Sequence, residues 1–234
     1  MSDARYLTRL TLRRDVPASA LRAVLLPRLD EERTLLTHKL IWTLFADSPT
    51  RMRDFLWRDA GQGRFYTLSE RPPEDAHGLF DVDEPKEFTP ELRAGDRLRF
   101  ALRANATVAR KTAGAKRGKP SDVVMDALFK VPKGPERAAA RSDAVQAAGL
   151  DWLARQGERS GFSLLKQVEG EGNGARVTSY QALRVDPKRG MTIGVLDYEG
   201  ELEIRDPLVF LNSLRDGFGR AKAFGCGLMM VRRA

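Results

Sequence analysis

This chain has little of what metal and redox sites are usually made from. A single cysteine, Cys226, and two histidines, His38 and His77, stand among 234 residues. One cysteine excludes an internal disulfide and a cysteine-based zinc site, and two histidines are too few for a histidine-rich metal centre. No metal and no cofactor is expected. The chain also lacks any run of about 18 apolar residues, the length that crosses a bilayer as a helix. Its first residues, Met1-Ser2-Asp3-Ala4-Arg5, have no apolar core of a secretory signal. The expectation is a soluble protein in a reducing, cytoplasmic setting.

Positive charge is what the chain has in excess. Forty Lys and Arg against 32 Asp and Glu give a net charge of +8, while a hydrophobic content of 42% is enough for a packed core. Such a balance points to nucleic acid, an anionic membrane or an acidic protein as partner. Most of the surplus is local. From residue 103 to 141 the ten basic residues are Arg103, Arg110, Lys111, Lys116, Arg117, Lys119, Lys130, Lys133, Arg137 and Arg141, against three acidic ones. Within it, 109–120 alternates small residues with cations and has no apolar periodicity. It reads as a flexible basic loop that orders on a polyanion, or as a solvated tether.

A second cluster closes the chain. Gly217, Gly219, Gly225 and Gly227 frame Arg220 and Lys222, and an apolar strand follows. Glycine accepts positive φ and close backbone approach, so four at fixed offsets suggest a loop shaped to lie against something. Two cations inside it suggest an anion, with backbone N–H groups able to cradle phosphate. The alternative is a loop that merely turns the chain.

Period-two alternation predicts strands at 5–13 and 96–103, the latter with Leu98, Phe100 and Leu102 inward and Arg97, Arg99 and Arg103 outward. Asp30 caps a predicted helix to about Phe45, and a second helix is read over 18–28. A hairpin turns at Gly61-Gln62-Gly63. Residues 71–95 read as a Pro- and acid-rich connection. Helices follow at about 121–130 and 139–156, then strands near 161–168, 176–185, 191–198 and 200–205. Asp206-Pro207 opens a helix to about Asp216. The pattern gives an α+β protein of two β-α-β-β-α-β halves, 1–104 and 140–234, joined by a basic segment, 105–139. Strand, helix, hairpin, helix, strand is the ferredoxin-like (RRM-like) arrangement. The strands carry no RRM-type aromatic motif.

Four stretches also carry a family resemblance: Tyr6–Leu10, His38–Phe45, Leu98–Asn105, and the glycine loop followed by Leu228. Together they resemble the CRISPR repeat-processing endoribonucleases of the type I-E Cascade assembly, the CasE (Cse-type) branch of the Cas six superfamily. The resemblance implies two tandem ferredoxin-like folds. It implies metal-independent cleavage of precursor CRISPR RNA at the 3′ base of each repeat hairpin, leaving a 2′,3′-cyclic phosphate and a 5′-hydroxyl. It also implies that the enzyme keeps its product and joins the other Cascade subunits, beside the backbone subunits at the 3′ end of the guide.

Such chemistry needs a base for the 2′-hydroxyl, an acid for the leaving 5′-oxygen, and cations for the phosphorane. Histidine suits the proton work, with its unperturbed pKa of about 6.5. His38 matches the family's catalytic histidine, although the apolar Leu35, Ile41, Trp42 and Phe45 around it also fit a buried structural one. The family often has a tyrosine three residues earlier, where this chain has Leu35, which neither donates nor accepts a proton. Lys39 adds charge beside His38. The expected RNA contacts are Lys39, Arg103, Arg110, Lys111, Lys116, Arg117, Lys119, Arg137, Arg141, Lys188, Arg189, Arg220 and Lys222. The turn at Lys188-Arg189 belongs to a possible basic hairpin, 176–193. His77 matches no motif. Two other functions stay open, a non-catalytic RNA-binding subunit and a basic protein–protein adaptor.

Overall fold

The computed structural model describes residues 4–13, 15, 37–48, 50–110, 118–165, 174–186 and 190–234. Strand β1 (Tyr6–Leu12) alternates as its sequence suggests, burying Thr8, Leu10 and Leu12 on one face. A helix, α1, occupies 37–42. The hairpin of β2 (Phe55–Gly61) and β3 (Arg64–Ser69) turns through Gly61, Gln62 and Gly63, all at positive φ. Two short strands follow, β4 (Phe80–Val82) and β5 (Lys86–Glu87). The sheet order is β2-β3-β1-β4, with β5 on the other end of β1 and every pair antiparallel. Leu40, Ile41, Leu44 and Phe45 of the α1 region cover one face, against Leu10, Phe55, Trp57, Phe65 and Phe80.

Strand β6 (Arg97–Ala104) leads into a hairpin of β7 (Thr107–Arg110) and β8 (Lys119–Asp122). Helices α2 (Val123–Phe129), α3 (Pro135–Ala139) and α4 (Arg141–Ser160) follow. Then come β9 (Phe162–Leu164), β10 (Arg176–Asp186), β11 (Met191–Ile204), α5 (Pro207–Asp216), a 3-10 turn at Lys222–Phe224 and β12 (Met229–Arg233). Asp206 caps α5 as expected, accepting from the Leu208 and Val209 N–H groups at 3.1 Å, with Pro207 in the first turn. The second sheet runs β10-β11-β6-β12, repeating the order of the first.

Three expectations need correction. The boundary at residue 104 assigned β6 to the first half, but β6 pairs with β11 and β12, and Leu98, Phe100, Leu102 and Ala104 enter the second core. Alternation reveals a strand with one buried face, not the sheet that receives it. The connection 71–95 contains β4 and β5, which are too short to show a period. The basic segment is not a plain loop, because its ends pair as β7 and β8. Its middle, 111–117, lies outside the described residues, as do the expected helix at 18–28 and the next one up to residue 36.

The outward face of the second sheet is a ladder of opposite charges. Arg103 lies opposite Asp197 and Arg99 opposite Glu201, with ion pairs of 3.5 and 3.1 Å, and Arg176 pairs with Glu199. The two halves meet where Leu56 and Leu68 of the first sheet pack on Leu228, with Leu7, Tyr66, Phe88 and Met230 around them.

Candidate RNA-cleavage site at the junction of the halves

All four loop glycines have positive φ, from 73° at Gly219 to 98° at Gly227. Their second property is closeness to neighbours. A Cβ on Gly217 would lie 2.8 Å from the Leu56 side chain, and one on Gly225 3.0 Å from the Trp57 ring. The loop is therefore shaped first to lie on β2 of the other half. Several of its amides are spent internally: Phe218 N–H donates to Gly227 O, Arg220 N–H to Asn105 O, and Gly227 N–H to Arg103 O.

This docking builds a wall beside His38. The Trp57 indole donates to the Ala223 carbonyl at 3.1 Å, and the Phe224 ring centroid lies 5.8 Å from that of His38. Trp42 stands on the other side at 6.0 Å. The imidazole is half-buried and the same Ala223 carbonyl acts on it, while its Nδ1 is enclosed without a hydrogen-bond partner among the described residues. Burial first, then the Arg53 charge, hold the His38 pKa below its ordinary value. The Ala223 carbonyl opposes this and Lys39 adds to it. The imidazole is thus neutral at neutral pH, and one of its ring nitrogens can accept a proton.

Arg53 and Lys39 act on the ring, and Lys222 lies near Arg53. Arg53, half-buried, donates to the Phe55 carbonyl at 3.1 Å. Lys222 Nζ donates to the Asp216 carbonyl at 2.6 Å, and burial followed by Arg53 lowers its pKa. A cleft of about 480 Å³ lies on the neighbouring side of Trp57 and Phe224, lined also by Thr37, Arg103 and Leu183; His38, Lys39, Arg53 and Lys222 are not in its lining. A larger cavity, about 760 Å³, lies over the charge ladder of the second sheet, where Arg99 and Arg176 are already paired. No group of three or more His, Cys, Asp and Glu side chains is placed to hold a metal ion among the described residues.

Of the sequence-named residues, the structure brings His38 and Lys39 beside the glycine loop, with Lys222 near Arg53, while Arg103 lines the neighbouring cleft. Arg220 is exposed on that loop, its backbone bridged to Asn105. Arg110 pairs with Asp126, Arg137 donates to the Val131 carbonyl, and Arg141 lies over the Tyr180 ring at 5.4 Å. These three and Lys119 do not line the cleft. Lys111, Lys116, Arg117, Lys188, Arg189 and Leu35 fall outside the described residues. His77 is exposed. Sequence reasoning missed Arg53, Trp57 and Phe224, and also Arg58, whose Nη1 is buried without a partner among the described residues at the interface, near Asp197, Arg103 and Cys226. For Arg58 a signal existed: it alternates with Trp57, which puts it with Leu56 on the face turned to the second half.

The sequence profile of the CRISPR associated protein family matches residues 5–233. CRISPR-associated endoribonuclease Cse3 of Thermus thermophilus is 33% identical over 162 residues, 66% of this chain and 64% of that protein. The match thus spans just under two thirds of that relative's length. CRISPR system Cascade subunit CasE of Escherichia coli is 24% identical over 205 residues, 83% of this chain and 89% of that protein. A solved structure of Cse3 bound to a 19 nt RNA superposes with a TM-score of 0.70 and 27% identity, covering 99% of this chain and 100% of that one. On a profile match that runs through both sheets and the junction between them, the chain belongs to the CRISPR associated protein family.

Proposed function

We propose that this chain is an endoribonuclease that cuts precursor CRISPR RNA at the 3′ base of the repeat hairpin and stays bound to the product as a subunit of a Cascade surveillance complex. Its two sheets, with their common strand order, are two ferredoxin-like halves, the first ending before Arg97. The observation that carries the reading is a neutral, half-buried imidazole beside Arg53 and Lys39, with Lys222 next to Arg53, where the halves meet. The names of the Cse3 and CasE relatives support the substrate and the assembly.

The mechanism is metal-independent and uses the RNA's own 2′-hydroxyl. His38 takes the hydroxyl proton on Nε2, the ring nitrogen that is not enclosed, and the oxygen attacks the adjacent phosphorus. The P–O5′ bond breaks, leaving a 2′,3′-cyclic phosphate. Lys222, made a stronger acid by burial and by Arg53, gives the departing 5′-oxygen its proton, and Arg53 and Arg220 hold the phosphorane charge.

One observation favours a binding-only role. An enclosed Nδ1 on a ring near Trp42 and Phe224 is also what a structural histidine would show. One experiment separates the two. Repeat hairpin RNA is incubated with the protein and with His38→Ala in excess EDTA, and the product ends are mapped. Cyclic-phosphate ends that disappear in the variant support the nuclease. Tight binding with no cut by the wild-type chain would make it a binding subunit.

A further inference from the structure

Helix α2 buries Val123, Val124 and Leu128 and turns Met125 and Phe129 outward. Phe129 is 83% exposed and Met125 50%. Four residues apart, they share one helix face. A groove of about 540 Å³ runs beside them, with Arg110 and Lys130 in its lining. An open phenyl ring adjoining a second apolar side chain is costly to keep in water and marks a surface that meets a partner.

The surroundings say which partner. Lys130 follows Phe129 directly, Lys133 lies just beyond, and Lys119 is on the neighbouring strand β8; all three are exposed. No salt bridge reaches these lysines among the described residues. The one acid in the groove lining, Asp126, is engaged by Arg110. The patch is therefore an aromatic face with a positive rim. That combination fits a base on the ring and phosphates on the ammonium groups, as in single-strand nucleic-acid sites. A paired stem fits poorly, because its bases are already stacked on each other and only its phosphates are offered.

The position fits too. Asn105, at the foot of the β7–β8 hairpin, bridges to Arg220 of the glycine loop. Arg110, five residues along an extended strand, is about 17 Å from there, and its pair with Asp126 ties α2 to the same end. One RNA can reach both places.

We propose that Phe129, with Met125 and the lysines 119, 130 and 133, is a stacking site for an unpaired nucleotide of the bound RNA. The inference rests on the RNA-binding reading above.

The test uses the whole chain and hairpin RNAs carrying 2-aminopurine singly at each loop and flanking position. At one position the wild-type protein should change the probe's fluorescence. Phe129→Ala should abolish that change and Phe129→Trp preserve it. Phe129→Ala should also weaken binding of the RNA with unpaired nucleotides by about 5-fold or more, the effect of losing one stacked base. A stem closed by a non-nucleotide linker, with no unpaired residues, should bind both proteins alike. Equal affinity of Phe129→Ala and wild type for the complete hairpin overturns the proposal. So does loss of an acidic protein partner by Phe129→Ala with RNA binding intact, which would make the patch a protein contact. Failure of the wild-type chain to bind any hairpin would instead overturn the RNA reading itself.

Discussion

The indole Nε1 of Trp57 donates to the carbonyl of Ala223 at 3.1 Å, joining residues 166 positions apart. Trp57 lies in the core of the first half, and Ala223 lies in the glycine loop of the second. The acceptor is also the carbonyl that His38 engages. One backbone oxygen therefore ties the halves together and acts on the imidazole, so the junction reaches the candidate site.

Gly225→Ala tests this dependence. The substitution asks alanine to take φ 76° with its Cβ 3.0 Å from the Trp57 ring. The expected loss is about 1–3 kcal/mol in urea unfolding, typical of a strained backbone position. Cys226 gives a second readout. It is fully buried, and burial pushes its thiol up to about 12. Iodoacetamide at mildly alkaline pH should leave the wild-type thiol intact and label the variant faster, because the loop lifts from β2.

The His38 pKa gives a pH dependence with a definite sign. Burial and Arg53 disfavour the imidazolium, so the base stays active below pH 6.5 and the acid limb of kcat/KM lies under that value. Arg53→Met removes a cation and should move the limb to higher pH. Folding follows the same shift. The unfolded chain takes up the proton first, so this contribution to stability is present above about pH 6.5 and is lost as pH falls through the folded pKa.

A modified substrate isolates the proposed acid. An RNA with a 5′-bridging sulfur at the scissile bond has a leaving group that needs no proton. Lys222→Ala should cleave the normal RNA slowly and the sulfur-bridged RNA at nearly the wild-type rate. His38→Ala should be slow on both. A Lys222→Ala defect that persists on the sulfur-bridged RNA would leave Lys222 a phosphate contact alone.

Salt dependence separates cations that meet phosphate from those already paired. Arg220→Ala removes an exposed loop cation and should lower the slope of log K against log salt by about one. Arg99→Ala should leave the slope unchanged, because Arg99 is matched with Glu201 on the charge ladder.

Local order was legible in the sequence. The alternation of β1 and β6, the Asp206-Pro207 cap and the glycine turn of the first hairpin each follow from short-range chemistry. Partnership was not. Leu98, Phe100 and Leu102 announce a buried face, yet only the structure shows that the face belongs to the second core. The site was half legible. His38 stood out as one of two histidines, and Lys222 as a cation among glycines. Arg53, in contrast, acts through its position beside both, which no spacing records. The spacing of the glycines suggests a phosphate cradle, whereas the close contacts of Gly217 with Leu56 and of Gly225 with Trp57 are a matter of shape between distant segments.

The glycine loop also has a consequence in time. A ribosome releases residue 38 long before residues 217–227, so a growing chain carries the histidine with neither Phe224 beside it nor Lys222 nearby. Under the reading proposed here, the nascent protein is harmless to the messenger that encodes it, and RNA cleavage becomes possible only once the loop has been made and seated.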